Sequence, residues 1–366
     1  MRSTAQARAR RRDRRVYLRS HPLLFGLLAA TRGRAARRVG GTVLVHDAGA
    51  YREALTGIPL DRAAAGTTGG AAREALGGAG GVLFDQEGGG HRTGRRSLAE
   101  GLGAAGVEEL RVRWRPLLVR GLAPLGRGAE ADVVALAREL AGTVAGALLG
   151  CPAGPGALAE AAAEAASASV RGHLPGPRRP GAAAAAARAA ERLRVLLGGG
   201  EALDAMVAVA AVNTTVAAVP RAVAWCADAG LWGQAADAGL RPLLARELLR
   251  VTAASPVLPR VAAGAGTVGG CPVRVGDRLL LVARHAAGAH RRDPDGRDPA
   301  GAGVARLVFG AGPHVCPGAR LATVLLEDVL EALAPYGPVV VRARVDRRAA
   351  LPGWRVLTLR AGRAGT

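Results

Sequence analysis

Apolar positions recur with helical spacing over most of this chain. The longest such run covers residues 201 to 229 and is apolar on every face near Met206 to Val219, which predicts a buried central helix. Pro220 inside it predicts a kink. A helical pattern broken by glycines runs from Gly90 to about Gly150. Further helices are expected near Tyr51 to Leu55, over Ala157 to Val170, over residues 240 to 252 and from Ala319 to Leu333. Strand-like alternation is confined to residues 40 to 47, to residues 256 to 283 with turns at Gly269-Gly270 and Gly276-Asp277, and to the C-terminal stretch. Residues 60 to 84 are Gly-rich and irregular. Residues 152 to 186 are low in complexity, with a Pro-rich loop around Leu174 to Pro180. No repeat and no linker stands out. The expected fold is mainly α with a small β region: one domain over residues 21 to 366, behind a basic tail of residues 1 to 20.

The N-terminus offers two readings. Arg14-Arg15-Val16-Tyr17-Leu18 resembles a twin-arginine export signal, and Pro22 to Ala30 is a short apolar run. Arg32, Arg34, Arg37 and Arg38 follow at once and no A-x-A cleavage site is visible, so a frayed basic tail leading into a short amphipathic helix is expected instead. No run is read as a membrane span.

Composition narrows the function classes. Hydrophobic residues make up 49% of the 366 residues and aromatics only 3%, so the core must be built from Leu, Val and Ala. The net charge of +21 invites a nucleic-acid reading. However, the chain has no Lys, one Ile (Ile58) and one Asn (Asn213), the footprint of a GC-rich genome in which Arg replaces Lys. The scattered aromatics suggest no base-stacking surface. A basic face for an acidic protein partner fits better. Cys151, Cys226, Cys271 and Cys316 show neither CxxC nor zinc spacing, which fits reduced thiols in the cytoplasm.

The informative stretch is Phe309-Gly310-Ala311-Gly312-Pro313-His314-Val315-Cys316-Pro317-Gly318, just before the helix at Ala319. A thiolate ligand to a flat macrocycle needs glycines that let backbone come close. It needs a helix N-terminus that favours the thiolate, and a donor for the macrocycle's carboxylates, which His314 can supply. Cys151 and Cys271 also precede proline, but only Cys316 has this frame. The frame resembles the signature of the cytochrome P450 family, in which the cysteine is the axial ligand to haem iron.

The resemblance continues upstream and covers the chain from about residue 40 to its end. Glu247-Leu248-Leu249-Arg250 resembles the family's Glu-x-x-Arg pair, although such a pair alone would be an ordinary solvated ion pair. Arg260 resembles the arginine that meets a haem propionate, and Arg291-Arg292-Asp293-Pro294 the entry to the cysteine loop. His91-Arg92-Thr93-Gly94-Arg95 resembles the helix carrying the second propionate clamp, with His91 and Arg95 as donors. Phe309 and Gly310 would contact the cofactor. The stretch between Pro294 and Gly301 is trimmed, leaving Arg297 as the candidate to complete the Glu-x-x-Arg network.

Over the haem, the family carries Ala-Gly-x-acid-Thr. Here the matching residues are Ala210-Ala211-Val212-Asn213-Thr214, so Ala211 replaces Gly and Asn213 replaces the acid. The alternative is that both are ordinary polar residues on a buried helix, with Thr214 bonding its own preceding turn. A lone Asn in a buried apolar helix argues for a role.

The resemblance implies a cytochrome P450 fold holding haem b between the long central helix and the helix of the cysteine loop. It implies insertion of one oxygen atom from dioxygen into a small apolar substrate, with electrons from a ferredoxin and ferredoxin reductase. Two rival readings remain, a hydrogen-peroxide-dependent peroxygenase and a non-oxidative haem protein, because Asn213 cannot titrate.

Overall fold

The protein is described here from a computed structural model covering residues 4–75, 83, 88–173, 181–199 and 201–362. The chain opens with α1 (Thr4–Ser20), α2 (Pro22–Thr31), β1 (Ala36–Val39), β2 (Thr42–Val45), α3 (Ala48–Thr56), β3 (Leu60–Asp61) and α4 (Thr68–Ala75). Next come α5 (Gly88–Leu102), α6 (Ala104–Gly126), β4 (Ala131–Asp132), α7 (Val133–Leu148), α8 (Pro155–His173) and α9 (Ala182–Leu196). The central helix α10 (Ala202–Ala229) leads to α11 (Trp232–Ala236) and α12 (Arg241–Thr252). Strands β5 (Leu258–Ala262), β6 (Gly266–Val268), β7 (Cys271–Val273) and β8 (Arg278–Leu281) precede the short α13 (Ala283–Ala286) and α14 (Ala302–Ala305). Helix α15 (Ala319–Leu333) and strands β9 (Val339–Asp346) and β10 (Gly353–Arg360) close the chain. The Pro-rich loop expected around Leu174 to Pro180 lies outside the described residues.

The strands form three small sheets. The largest has the order β1-β2-β8-β5-β3; β2 pairs with β8 in parallel and the other pairs are antiparallel. The others are β4-β10-β9 and the β6-β7 hairpin. Helix α10 starts with a capping box between Glu201 and Asp204, runs unbroken through Pro220 and stops where Gly230 takes φ 70°. By length and composition it could cross a membrane, contrary to the sequence reading that no run would. Instead, other helices cover it: α1, α7, α8 and α12 all pack against it. Its apolar faces therefore serve the core, as in any helix hydrophobic all round.

Two expectations change. Residues 4 to 20 are not a frayed tail but helix α1, with Ala9, Asp13, Val16 and Tyr17 buried. Asp13 sits against Arg221 of α10, and Tyr17 donates its hydroxyl proton to the Thr252 carbonyl at 3.0 Å. Pairings more than 200 residues apart leave no local trace. The Ala-rich stretch after Gly181 forms α9, because Ala costs the least of any residue to place in a helix. It packs on α8.

Candidate active site

The cysteine loop is a chain of tight turns. Residues Arg306–Phe309 form one 3-10 turn and Gly312–His314 another. Gly310 and Gly312 take φ 84° and 71°, conformations that cost glycine nothing. The Cys316 N–H donates to the Phe309 carbonyl at 2.8 Å, which closes the loop and sets the sulfur just ahead of α15. Cys316 is exposed, yet enough protein surrounds the sulfur that burial pushes its thiol up. A hydrogen bond from the Gly318 backbone and the charge of Arg95 pull the other way. Coordination to a metal deprotonates such a thiol outright.

Arginine and histidine side chains from distant segments meet at this loop. The His91 and His314 rings stack with centroids 3.9 Å apart. Arg95 donates to the Val315 carbonyl at 2.6 Å, tying α5 to the cysteine loop. Arg260 reaches the Thr68 hydroxyl at 3.4 Å, and its Nε is buried with no partner. Burial and the nearby Arg62 hold Arg260 down at about 10. Burial, followed by the charges of Arg62, His91, Arg260 and Arg95, pushes His314 down to about 3. The structure therefore brings together His91, Arg95, Arg260 and His314, and adds Arg62. Sequence reading missed Arg62, a buried arginine following strand β3. The only signal was a charged pair, Asp61-Arg62, beside apolar Leu60.

Glu247 and Arg250 form a closed pair, 1% and 0% exposed, with Arg250 Nε and Nη2 at 2.8 and 2.6 Å from the two carboxylate oxygens. Arg250 also donates to the carbonyls of Ala287, Arg292 and Asp293, and Glu247 accepts from the Ala300 N–H. Main chain thus completes the network. Arg297, the candidate for that place, is exposed. The short 294–301 segment lets the Ala300 N–H reach the carboxylate directly, so no arginine side chain is needed there.

On α10, Asn213 donates its amide hydrogens to the carbonyls of Ala162 on α8, at 3.2 Å, and of Val209, at 2.8 Å. The Thr214 hydroxyl donates to the Ala210 carbonyl at 2.7 Å. Asn213 thereby clips two helices together. Thr214 has the back-bonded arrangement named as the alternative above.

A flat dianionic cofactor fits these residues. In the middle of a buried helix, Val209, Ala210, Ala211, Asn213, Thr214, Thr215 and Val216 are only half-buried. So are Leu258 to Val261 and Phe309 to Ala311. These stretches keep partial exposure on elements otherwise packed into the core. Arg260, with a buried N–H that has no partner, is costly to bury unless an anion joins it.

The chain has the cytochrome P450 fold. It aligns over 94% of its length with P450BioI in complex with a hexadec-9Z-enoic acid-ligated acyl carrier protein, at TM-score 0.74 and 16% identity, covering 99% of that chain. CYP109B1 from Bacillus subtilis aligns at TM-score 0.72 and 17% identity, over 93% of this chain and 99% of that one. A mutant of P450 EryK in complex with erythromycin B aligns at TM-score 0.67 and 20% identity, over 95% and 99%. In sequence, the chain is 36% identical over 126 residues to erythromycin C-12 hydroxylase of Saccharopolyspora erythraea, a match spanning 32% of this chain and 30% of that enzyme. No protein-family model matches the chain.

Proposed function

We propose that the protein is a haem-thiolate monooxygenase that inserts one oxygen atom from dioxygen into a small apolar substrate. The observation that carries this reading is the Cys316 loop with Arg62, His91, Arg95, Arg260 and His314 converging beside it. When bound, haem b with a thiolate ligand supplies the electron push that favours O–O cleavage. The Cys316 sulfur would be its axial ligand. Arg62, His91, Arg95, Arg260 and His314 would hold the two carboxylates, and Phe309 and Gly310 would line its cysteine side. Glu247 and Arg250 would fix the segment that enters the loop. The Thr214 hydroxyl oxygen has lone pairs free to accept from a water, and so could pass a proton across the far face of the site. Asn213 cannot release one. Small apolar side chains, Val209, Ala210, Ala211 and Val216, would face the substrate. The partial likeness to erythromycin C-12 hydroxylase supports a place in secondary metabolism.

Electrons would come from a ferredoxin and its reductase in the cytoplasm. An open groove of about 360 Å³ beside Pro317 is lined by Arg92, Arg95 and Arg96. Arg113 and Arg320 are exposed as well. An acidic ferredoxin suits such a face, and salt should slow its docking. The second reading, hydrogen peroxide as oxidant, is favoured by Asn213 standing where the family has an acid. Turnover with ferredoxin, reductase and NAD(P)H, compared with hydrogen peroxide alone, tests the proposal. Product only with peroxide would overturn the electron-transfer reading.

A further inference from the structure

Helix α2 turns an apolar face outward. Pro22, Leu23, Gly26, Leu27 and Ala30 are all exposed, Leu23 at 89% and Leu27 at 43%. Its inner face is satisfied: Leu28 packs on Leu44 and Val282, with Leu24 and Phe25 against them. A surface helix normally carries charge on its outer side; this one carries none. Nor is the ridge a loose end. The Phe25 ring meets Tyr17 of α1 edge-on with centroids 5.1 Å apart, and Tyr17 is buried.

The surroundings of the ridge are basic. Arg11, Arg14, Arg15 and Arg19 of α1 are exposed and make no ion pair among the described residues, and exposed Arg32, Arg34 and Arg37 follow α2. Residues 4 to 46 contain a single acid, Asp13, which is buried under Arg221 and Arg284. Arginines therefore bracket the ridge on both sides in the chain, with no exposed carboxylate to offset them. A second copy of the chain would set this positive patch against itself, since a two-fold contact pairs like surface with like. A nucleic acid would have no use for exposed leucines. An anionic membrane suits both features, because apolar side chains enter the boundary between headgroups and acyl chains while cations meet the lipid phosphates.

We infer that α1 and α2 form a peripheral binding surface for anionic phospholipid bilayers. Leu23 and Leu27 enter the headgroup–acyl boundary, and Arg11, Arg14, Arg15, Arg19 and Arg32 engage the phosphates. The helices lie on the membrane without crossing it. The signal-like run of arginines and apolar residues thus keeps a use inside the folded protein.

The test is sedimentation of the full-length haem-loaded protein with vesicles of phosphatidylcholine, alone or mixed equally with phosphatidylglycerol. The protein should pellet with the mixed vesicles and stay in solution with phosphatidylcholine alone. Leu23→Ser/Leu27→Ser and Arg14→Gln/Arg15→Gln should each weaken binding by roughly tenfold or more, and rising salt should weaken it too. Both variants should unfold at the wild-type temperature, since the replaced side chains face outward. Failure to pellet with phosphatidylglycerol, or equal pelleting by Leu23→Ser/Leu27→Ser, overturns the inference. So does a lipid-free dimer that Leu23→Ser/Leu27→Ser converts to monomer, which would assign the ridge to self-association.

Discussion

Asp13 of α1 accepts two N–H bonds from Arg221 of α10, at 3.0 and 2.8 Å, with the residues 3% and 1% exposed. Arg284 adds a third bond at 3.1 Å, and the guanidiniums of Arg221 and Arg284 each lie 4.3 Å from the Tyr17 ring centroid. Removing the carboxylate strands a fully buried guanidinium. Asp13→Ala should therefore cost about 3–5 kcal/mol, read as a shift of the urea midpoint. A loss below about 1 kcal/mol would mean that α1 is not docked as described.

Arg62 and Arg260 repel each other across a buried gap. Arg62→Ala/Arg260→Ala should keep the helical content of the wild-type protein. The same double variant should lose haem markedly faster to an acceptor apoprotein, since each charge-assisted bond contributes about 1.5–3 kcal/mol. An unchanged haem-loss rate would contradict the propionate role.

Asn213→Asp would put an acid where the family has one, but the geometry sets a cost. The amide now donates to Ala162 and Val209, and a carboxylate would face both carbonyls without a proton to give. A destabilisation of about 1–3 kcal/mol is expected, with the variant no better at converting electrons to product. Increased coupling at unchanged stability would mean that the side chain points into the site instead.

The contrast between these positions shows what the sequence could reveal. The cysteine loop and Glu247–Arg250 were legible because their chemistry is local, packed into a few consecutive residues. The central helix was legible through its unbroken apolar run. Helix α1 was not, since Asp13 finds its partner 208 residues away and an arginine-rich stretch looks the same whether docked or frayed. Arg62 was hidden because only the fold brings it to Arg260 and His314. Arg297 was over-read: a main-chain N–H fills the place assigned to its side chain.

Buried His46 and His285 cluster with half-buried His290; the His46 and His285 Nδ1 atoms are 2.9 Å apart and the Thr31 hydroxyl is 3.1 Å from His46 Nε2. Burial holds His46 and His290 down at about 4 and His285 at about 2; the charges of Arg32 and Arg284 add to the effect on His285 and His290. In the unfolded chain these rings titrate near 6.5, so below that pH the unfolded state binds more protons. Stability should be full above about pH 6.5 and fall as pH drops toward 4. His46→Gln should flatten that slope in urea titrations. An unchanged slope would contradict the assignment.

The account rests on Cys316 as the thiolate ligand, and the spectrum of the reduced, carbon monoxide-bound protein tests this directly. Wild type and Cys226→Ala should both show the strongly red-shifted Soret band of a thiolate haem, because Cys226 is fully buried among apolar residues. Cys316→Ala should lose that band while keeping the helical content of the folded protein. A red-shifted band that survives in Cys316→Ala would contradict the account.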